Sequence, residues 1–273
     1  MMLLLGFDWH SQMLHISDRW QDRWRSSPIV KVVYIHESIE DNCRLWENTL
    51  MKVAVTSAAV MADLIVYNDL TDSAFLESLG KAAQWQPYGV DPEVFDRYDN
   101  FDDRRPNPFF RGKTTPYYTE HSYRRRRRLM EMLKKRGGVD LLPYTAFDGQ
   151  QMARDLNTYQ VALNLPTLGH NFPSRVTEAM ACGCALITNC TGIPENDALF
   201  EDGRHLLYYG EDRELIEAVD RLQDDPALRR ALAQGGYELT MERFKLSDHL
   251  RQIMDWAQGS KSSVSAQKTK TAG

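Results

Sequence analysis

Four short apolar runs constrain this chain more than any other feature: IVKVVYIHES (29–38), ADLIVYND (62–69), QVALNL (160–165) and CALITN (184–189). Each is too short for an ordinary helix, and the first two are rich in β-branched residues. A strand with one wet face alternates apolar and polar residues. A run that is apolar on both faces belongs to a parallel sheet covered on both sides. Helix-like segments separate the runs, and strand, helix, strand in that order implies right-handed crossovers. The fold class is therefore α/β, with two Rossmann-type, doubly wound parallel-sheet domains facing a cleft.

The remaining segments fit this scheme. MMLLLGFDWH reads as a short strand and polar turn, and residues 17–26 as a charged helix. TDSAFLESLG reads as a helix opening at Thr71 or Asp72 and closing at Gly80. Residues 96–108, DRYDNFDDRRPNP, are polar and proline-bearing, the composition of a linker. Beyond it FFRGK is a strand, and EHSYRRRRRLMEMLKKRGG is a helix ended by Gly137 and Gly138. Ser174 can cap a helix that closes at Gly183. Asp225 caps another, with Pro226 at its first position and Gly235 beyond its end. LSDHLRQIMDWAQ is the last amphipathic helix. The expected domains are a short or incomplete N-terminal domain over 1–95, a linker over 96–108, and a C-terminal domain over 109–259. A polar tail over 260–273 has the composition of a disordered segment.

Composition excludes several functions. A net charge of −5 gives no global attraction to nucleic acid. The apolar opening breaks at Asp8, short of a signal peptide or membrane span, which points to the cytoplasm; the chain could still sit at a membrane surface. Cys182, Cys184 and Cys190 form a C-x-C-x5-C pattern that is not a zinc spacing, so no metal site is expected there. The Arg124–Arg128 run points all round a helix, and beyond Tyr123 it has no interleaved aromatics. It reads as a solvated helix start with one or two arginines near a bound phosphate, or less readily as a module for polyanions.

The stretch HNFPSRVTEAMACGCALITNCTGIPE (170–195) carries the chemistry. A helix starting near Ser174 offers backbone N–H groups and a partial positive charge, a seat for a diphosphate. Glu178 lies about one turn inside, within reach of a ribose hydroxyl; equally, it could do no more than complement the helix dipole.

The segment from Phe172 to Gly236 resembles the donor-binding half of GT-B glycosyltransferases. It is similar to the group 1, family 4-like members and especially to the branch of the spore-maturation protein CgeB. Three quoted motifs carry the resemblance: Glu178-Ala179-Met180-Ala181-Cys182-Gly183, then Gly192-Ile193-Pro194-Glu195, then Phe200-Glu201-Asp202-Gly203. Upstream, WQPYGVDPEVF matches the segment that ends the first domain in that family. The likeness spans residues 28 to 257.

The resemblance implies a sugar transferase using a nucleotide-diphosphate sugar, retaining and metal-independent, with no other cofactor and no nucleic acid partner. The acceptor, the nucleotide base and the oligomeric state stay open. Glu178 would hold the donor ribose, and Phe172, Pro173, Ser174 and Arg175 would approach the phosphates and sugar. Arg111 and Lys113, after the first strand of the second domain, would neutralise the diphosphate. His36, at the end of the VVYIHES strand, stands where the family often places a polar residue facing the cleft. Like His170, it is a candidate catalytic residue that could contact the donor sugar or the acceptor, or be no more than a satisfied polar group; Glu37 beside it would have a similar role. His170 stands where many members carry the first glutamate of an E-x7-E pair. That departure, with the short first domain, keeps open a non-catalytic protein that binds sugar nucleotides. No Asp-x-Asp motif for a metal-bound diphosphate occurs in the chain.

Overall fold

The computed structural model describes residues 2–5, 18–36, 38–40, 50–98, 101–113, 123–144, 148–166 and 170–270. Two compact units divide the chain: residues 1–87 with 247–273, and residues 88–246.

In the first unit, β1 (Met2–Leu5), β2 (Lys31–Ile35), β3 (Leu64–Tyr67) and β4 (Ala82–Trp85) form one parallel sheet in chain order. Strands that add in one direction through right-handed crossovers must put every connecting helix on the same face. Accordingly Val33, Ile35, Ile65 and Tyr67 pack with Trp24 of α1 (Asp18–Arg25), with Val55, Ala58 and Ala59 of α2 (Leu50–Met61), and with Leu76 of α3 (Ser73–Ser78). The opposite face, Val32, Tyr34, Leu64 and Val66, would be bare. It is covered by Ile253, Trp256 and Ala257 of the last helix. That need explains why the end of the chain returns to the first unit.

The second unit carries a parallel sheet ordered β6-β5-β7-β8-β9. Its strands are β5 (Arg105–Arg111), β6 (Asp140–Leu142), β7 (Tyr159–Leu163), β8 (Ala185–Asn189) and β9 (Leu207–Tyr209). One face buries Phe109, Ala162 and Leu186 against α5 (Gly149–Leu156) and α6 (Ser174–Ala181). The other buries Phe110, Val161, Leu163 and Ile187 against Leu129 and Leu133 of α4 (Arg124–Arg136) and Leu215, Val219 and Leu222 of α8 (Asp212–Asp224). A short α7 (Pro194–Asp197) follows β8. From β5 the chain moves outward to β6; from β7 it moves outward the other way. The switch point lies between β5 and β7.

Several expectations are corrected. Residues 96–108 lie inside the second unit, and Arg105–Pro108 belong to β5, one of its interior strands. Pro106 and Pro108 suggested a linker because neither can donate to a ladder. The strand accommodates them with a register shift against β7 between Arg105 and Pro108, and its pairing with β6 begins only at Phe109. Gly235 does not end a helix: α9 runs Pro226–Arg243 straight through Gly235 and Gly236. A Cβ at these positions would lie 2.4 Å from the Arg204 carbonyl oxygen and 2.8 Å from that of His205. The glycines are there for close packing. Asp72 does occupy the N-cap position of α3, as expected, but its side chain makes no capping bond; its carboxylate accepts from the amides of Ile39 and Glu40 at 2.8 and 2.9 Å. The final helix, α10 (Leu246–Lys270), continues past Gly259 into the segment whose composition suggested disorder. Among the described residues, no helix is long and apolar enough to cross a membrane.

Candidate functional site

Ligands of doubly wound sheets sit at the carboxyl ends of the strands beside the switch point. A cavity of about 230 Å³ opens there in the second unit. Lys113 follows β5, Asn164 to Pro166 follow β7, and Pro173 and Arg175 come from the first turn of α6.

Charge dominates its wall. Lys113, Arg126 and Arg175 line it, and among the described lining residues there is no carboxylate. The Arg126 and Arg175 guanidinium carbons each lie 5.2 Å from the centroid of the Phe110 ring. Burial, and then the charge of Arg175, push the Arg126 pKa down to about 9. Burial also depresses Arg175, with Glu178 acting in the opposite sense. Two buried like charges side by side are costly, Glu178 offsets only Arg175, and a bound anion would relieve both. Among the described residues, neither the buried Arg175 Nε nor the buried Asn164 Oδ1 has a hydrogen-bond partner. The wall thus offers three cations and, among the described residues, an unused donor and an unused acceptor.

Arg126 has a second role. Its Nε and Nη2 donate to the Leu165 carbonyl at 3.0 and 2.5 Å, and its Nη1 donates to the Lys113 carbonyl at 3.0 Å. One side chain therefore ties together the ends of the two strands that flank the switch point.

Of the residues singled out in the sequence, Lys113, Pro173 and Arg175 line the cavity. Ser174 is the first helical residue and not the cap; Pro173 occupies the cap position. The Ser174 hydroxyl hydrogen bonds to Glu178, which is 7% exposed and lies one turn inside α6. Burial raises the Glu178 pKa, opposed by that bond and by Arg175. Phe172 is a core residue, 5.3 Å centroid to centroid from Phe200 and 6.0 Å from Tyr208. Arg111 turns away, its Nε 2.7 Å from Asp155 Oδ2 and its Nη1 donating to the Pro143 carbonyl at 2.9 Å. His170 is exposed, with Nδ1 3.4 Å from the Thr191 carbonyl oxygen, and its own carbonyl accepts from Asn196 Nδ2. His36 belongs to the first unit, after β2, its ring 6.1 Å from that of Tyr34. Glu37 lies outside the described residues.

The arginine run divides its labour. Arg125 and Arg128 bind the two oxygens of Asp212 at 3.1 and 2.5 Å, while Arg126 enters the cavity wall. Sequence reasoning did not single out Arg126, Asn164 or Asn189, all of which line the site. Asn164 and Asn189 did leave a signal, each being the polar residue where an apolar run stops. Arg126 left none, because five identical residues do not reveal which one faces inward.

Solved structures place this architecture among the GT-B glycosyltransferases. Sucrose-phosphate synthase from Thermosynechococcus elongatus superimposes with a TM-score of 0.62 at 15% identity, over 90% of this chain and 71% of that one. HepE of Anabaena, solved with UDP-glucose, gives 0.62 at 14% identity over 84% and 72%. An alpha-glucosyltransferase bound to UDP-glucose and DNA containing an abasic site gives 0.63 at 14% identity over 88% and 76%. No curated protein matches the sequence. By sequence the chain belongs to the family described as glycosyl transferase-like, which matches residues 119–255.

Proposed function

We propose that this protein moves a sugar from a nucleotide-diphosphate sugar to an acceptor hydroxyl, with retention of anomeric configuration and without a metal ion. The observation that carries the reading is the cationic cavity at the switch point, whose described lining includes Lys113, Arg126 and Arg175 and no carboxylate. When the bond between the anomeric carbon and the diphosphate oxygen breaks, the electron pair stays on the diphosphate. Fixed cations stabilise that growing charge more than the ground state, which lowers the barrier. The acceptor oxygen bonds to the anomeric carbon, and its proton passes to the departing phosphate oxygen on the same face. Pro173 and Arg175 bring the start of α6 to the phosphates, and Glu178 accepts from the ribose. We place the chain in the CgeB-like branch on its helix from Glu178 to Gly183 and the two loops that follow.

A second reading, sugar-nucleotide binding without transfer, draws on His170. The residue standing in for the first glutamate is exposed and absent from the described cavity lining.

Incubation with UDP-, GDP- and ADP-sugars, scored by release of the nucleoside diphosphate, separates the two. Turnover supports transfer, and binding without turnover with any acceptor offered supports the second reading. Glu178→Ala should weaken nucleotide binding by about 1.5–3 kcal/mol, the worth of a hydrogen bond to a charged acceptor. Unchanged affinity in that variant would remove Glu178 from the site.

A further inference from the structure

Asn164 stands in the cavity wall at the carboxyl end of β7 and is 2% exposed. Three of its polar groups are committed. The backbone N–H donates to the Ile187 carbonyl at 2.9 Å, and the backbone carbonyl accepts from the Tyr209 hydroxyl at 3.0 Å. Nδ2 donates to Oγ1 of the fully buried Thr188 at 2.9 Å. The fourth, Oδ1, is buried and has no hydrogen-bond partner among the described residues. Turning the amide over would swap the atoms and aim its positive end into a wall already bearing Lys113, Arg126 and Arg175. The orientation seen aims the negative end there, as electrostatics favours. A buried acceptor held rigid on every other side and left unmatched is destabilising unless something supplies a donor.

We propose that Asn164 Oδ1 accepts a hydrogen bond from a hydroxyl of the transferred sugar, which makes Asn164 a specificity-determining residue of the donor site. The inference rests on the donor-site reading above. The diphosphate cannot be the partner, because its oxygens carry no proton at neutral pH; it belongs to the cations. The ribose hydroxyls belong to Glu178. The base is separated from the diphosphate by the whole ribose, whereas the transferred sugar is bonded directly to it. Since Asn164 shares its wall with the three cations, the sugar hydroxyls are the donors within reach. A site built to bond a hydroxyl discriminates strongly against a substrate lacking it, because the buried acceptor is then left unpaired.

The test is titration calorimetry with UDP, GDP and ADP and their glucose conjugates on the wild type and on Asn164→Leu, which is similar in volume. For the nucleotide that the wild type binds, the variant should hold the glucose conjugate roughly tenfold more weakly and the bare diphosphate equally well. Equal weakening of both, or of neither, overturns the inference. So does a diphosphate that binds while its conjugate does not. If the wild type binds none of the six, the donor-site reading itself fails. A second measurement guards against a variant that does not fold. Wild-type protein is titrated with the 2-, 3-, 4- and 6-deoxy forms of the bound conjugate, and at least one should bind about as weakly as the full conjugate binds the variant. Full-strength binding by all four deoxy forms overturns the assignment.

Discussion

Arg126 and Leu165 are joined by two hydrogen bonds to a single carbonyl, at 3.0 and 2.5 Å, and the same guanidinium reaches the Lys113 carbonyl on the neighbouring strand end. Both carbonyls lie just past the ends of their strands, β5 and β7, at the switch point. Arg126→Ala should therefore destabilise the protein by about 3 kcal/mol, since two acceptors lose a charged donor. Arg126→Lys should recover only part of this, because a compact ammonium lacks the planar fork. Urea denaturation of the three proteins checks the order, and a lysine variant as stable as wild type would contradict it.

Arg175 should behave differently. Its Nε is buried without a partner among the described residues, beside the like charge of Arg126. Arg175→Met relieves the repulsion with Arg126 but also takes the cation away from Glu178, so the ligand-free protein should melt close to the wild type. The same variant should bind nucleoside diphosphates about tenfold or more weakly, and uncharged nucleosides unchanged. Thermal melting with paired titrations reads both effects; equal losses for diphosphate and nucleoside would place Arg175 away from the phosphates.

Two glycines within helices make a matched pair. Alanine favours a helix over glycine by about 1 kcal/mol. At Gly259 a Cβ would meet no atom within 4 Å, so Gly259→Ala should stabilise by up to that amount. At Gly235 a Cβ would lie 2.4 Å from the Arg204 carbonyl oxygen. There the overlap should outweigh propensity and give a net loss of about 1–3 kcal/mol. Denaturant melts of the two variants should move in opposite directions.

Asp72 links the first unit to pH. Burial raises its pKa to about 7, with Asp69 and Glu40 adding to the rise and the amides of Ile39 and Glu40 opposing it. A carboxyl whose folded pKa is raised contributes stability that is complete below its ordinary value and is lost as pH climbs through the folded value. The stability of the wild type relative to Asp72→Asn should accordingly fall between about pH 4 and 7 and level off above that range. Urea unfolding of both proteins at pH 4.5, 6 and 7.5 measures it. A relative stability that rises with pH would show the carboxylate to be the favoured form.

Much of the second unit was legible because its signals are local. The apolar strands β7 and β8, the glycines closing α4 and α6, and Asp225 with Pro226 opening α9 depend on residues adjacent in the chain. β6, α5, β9 and α2 were not foreseen: the first three are short, and α2 is apolar nearly all round, with no clean period to read. Pro106 and Pro108 misled because their cost in a strand is removed by a register shift that exists only once β7 and β6 lie alongside. Gly235 misled for a related reason, since the loop at Arg204 that requires it is distant in sequence.

The sequence by itself determined that this would be a parallel α/β protein with a helix opening at Ser174 and a carboxylate one turn in, because periodicity, capping and strand-end polarity are properties of neighbouring residues. Only the tertiary structure decided which of five arginines faces the cavity, why Arg111 does not, and that Asn164 keeps an acceptor unmatched among the described residues. Those outcomes depend on how strand ends separated by dozens of residues meet at the switch point, and burial and like-charge proximity arise only there.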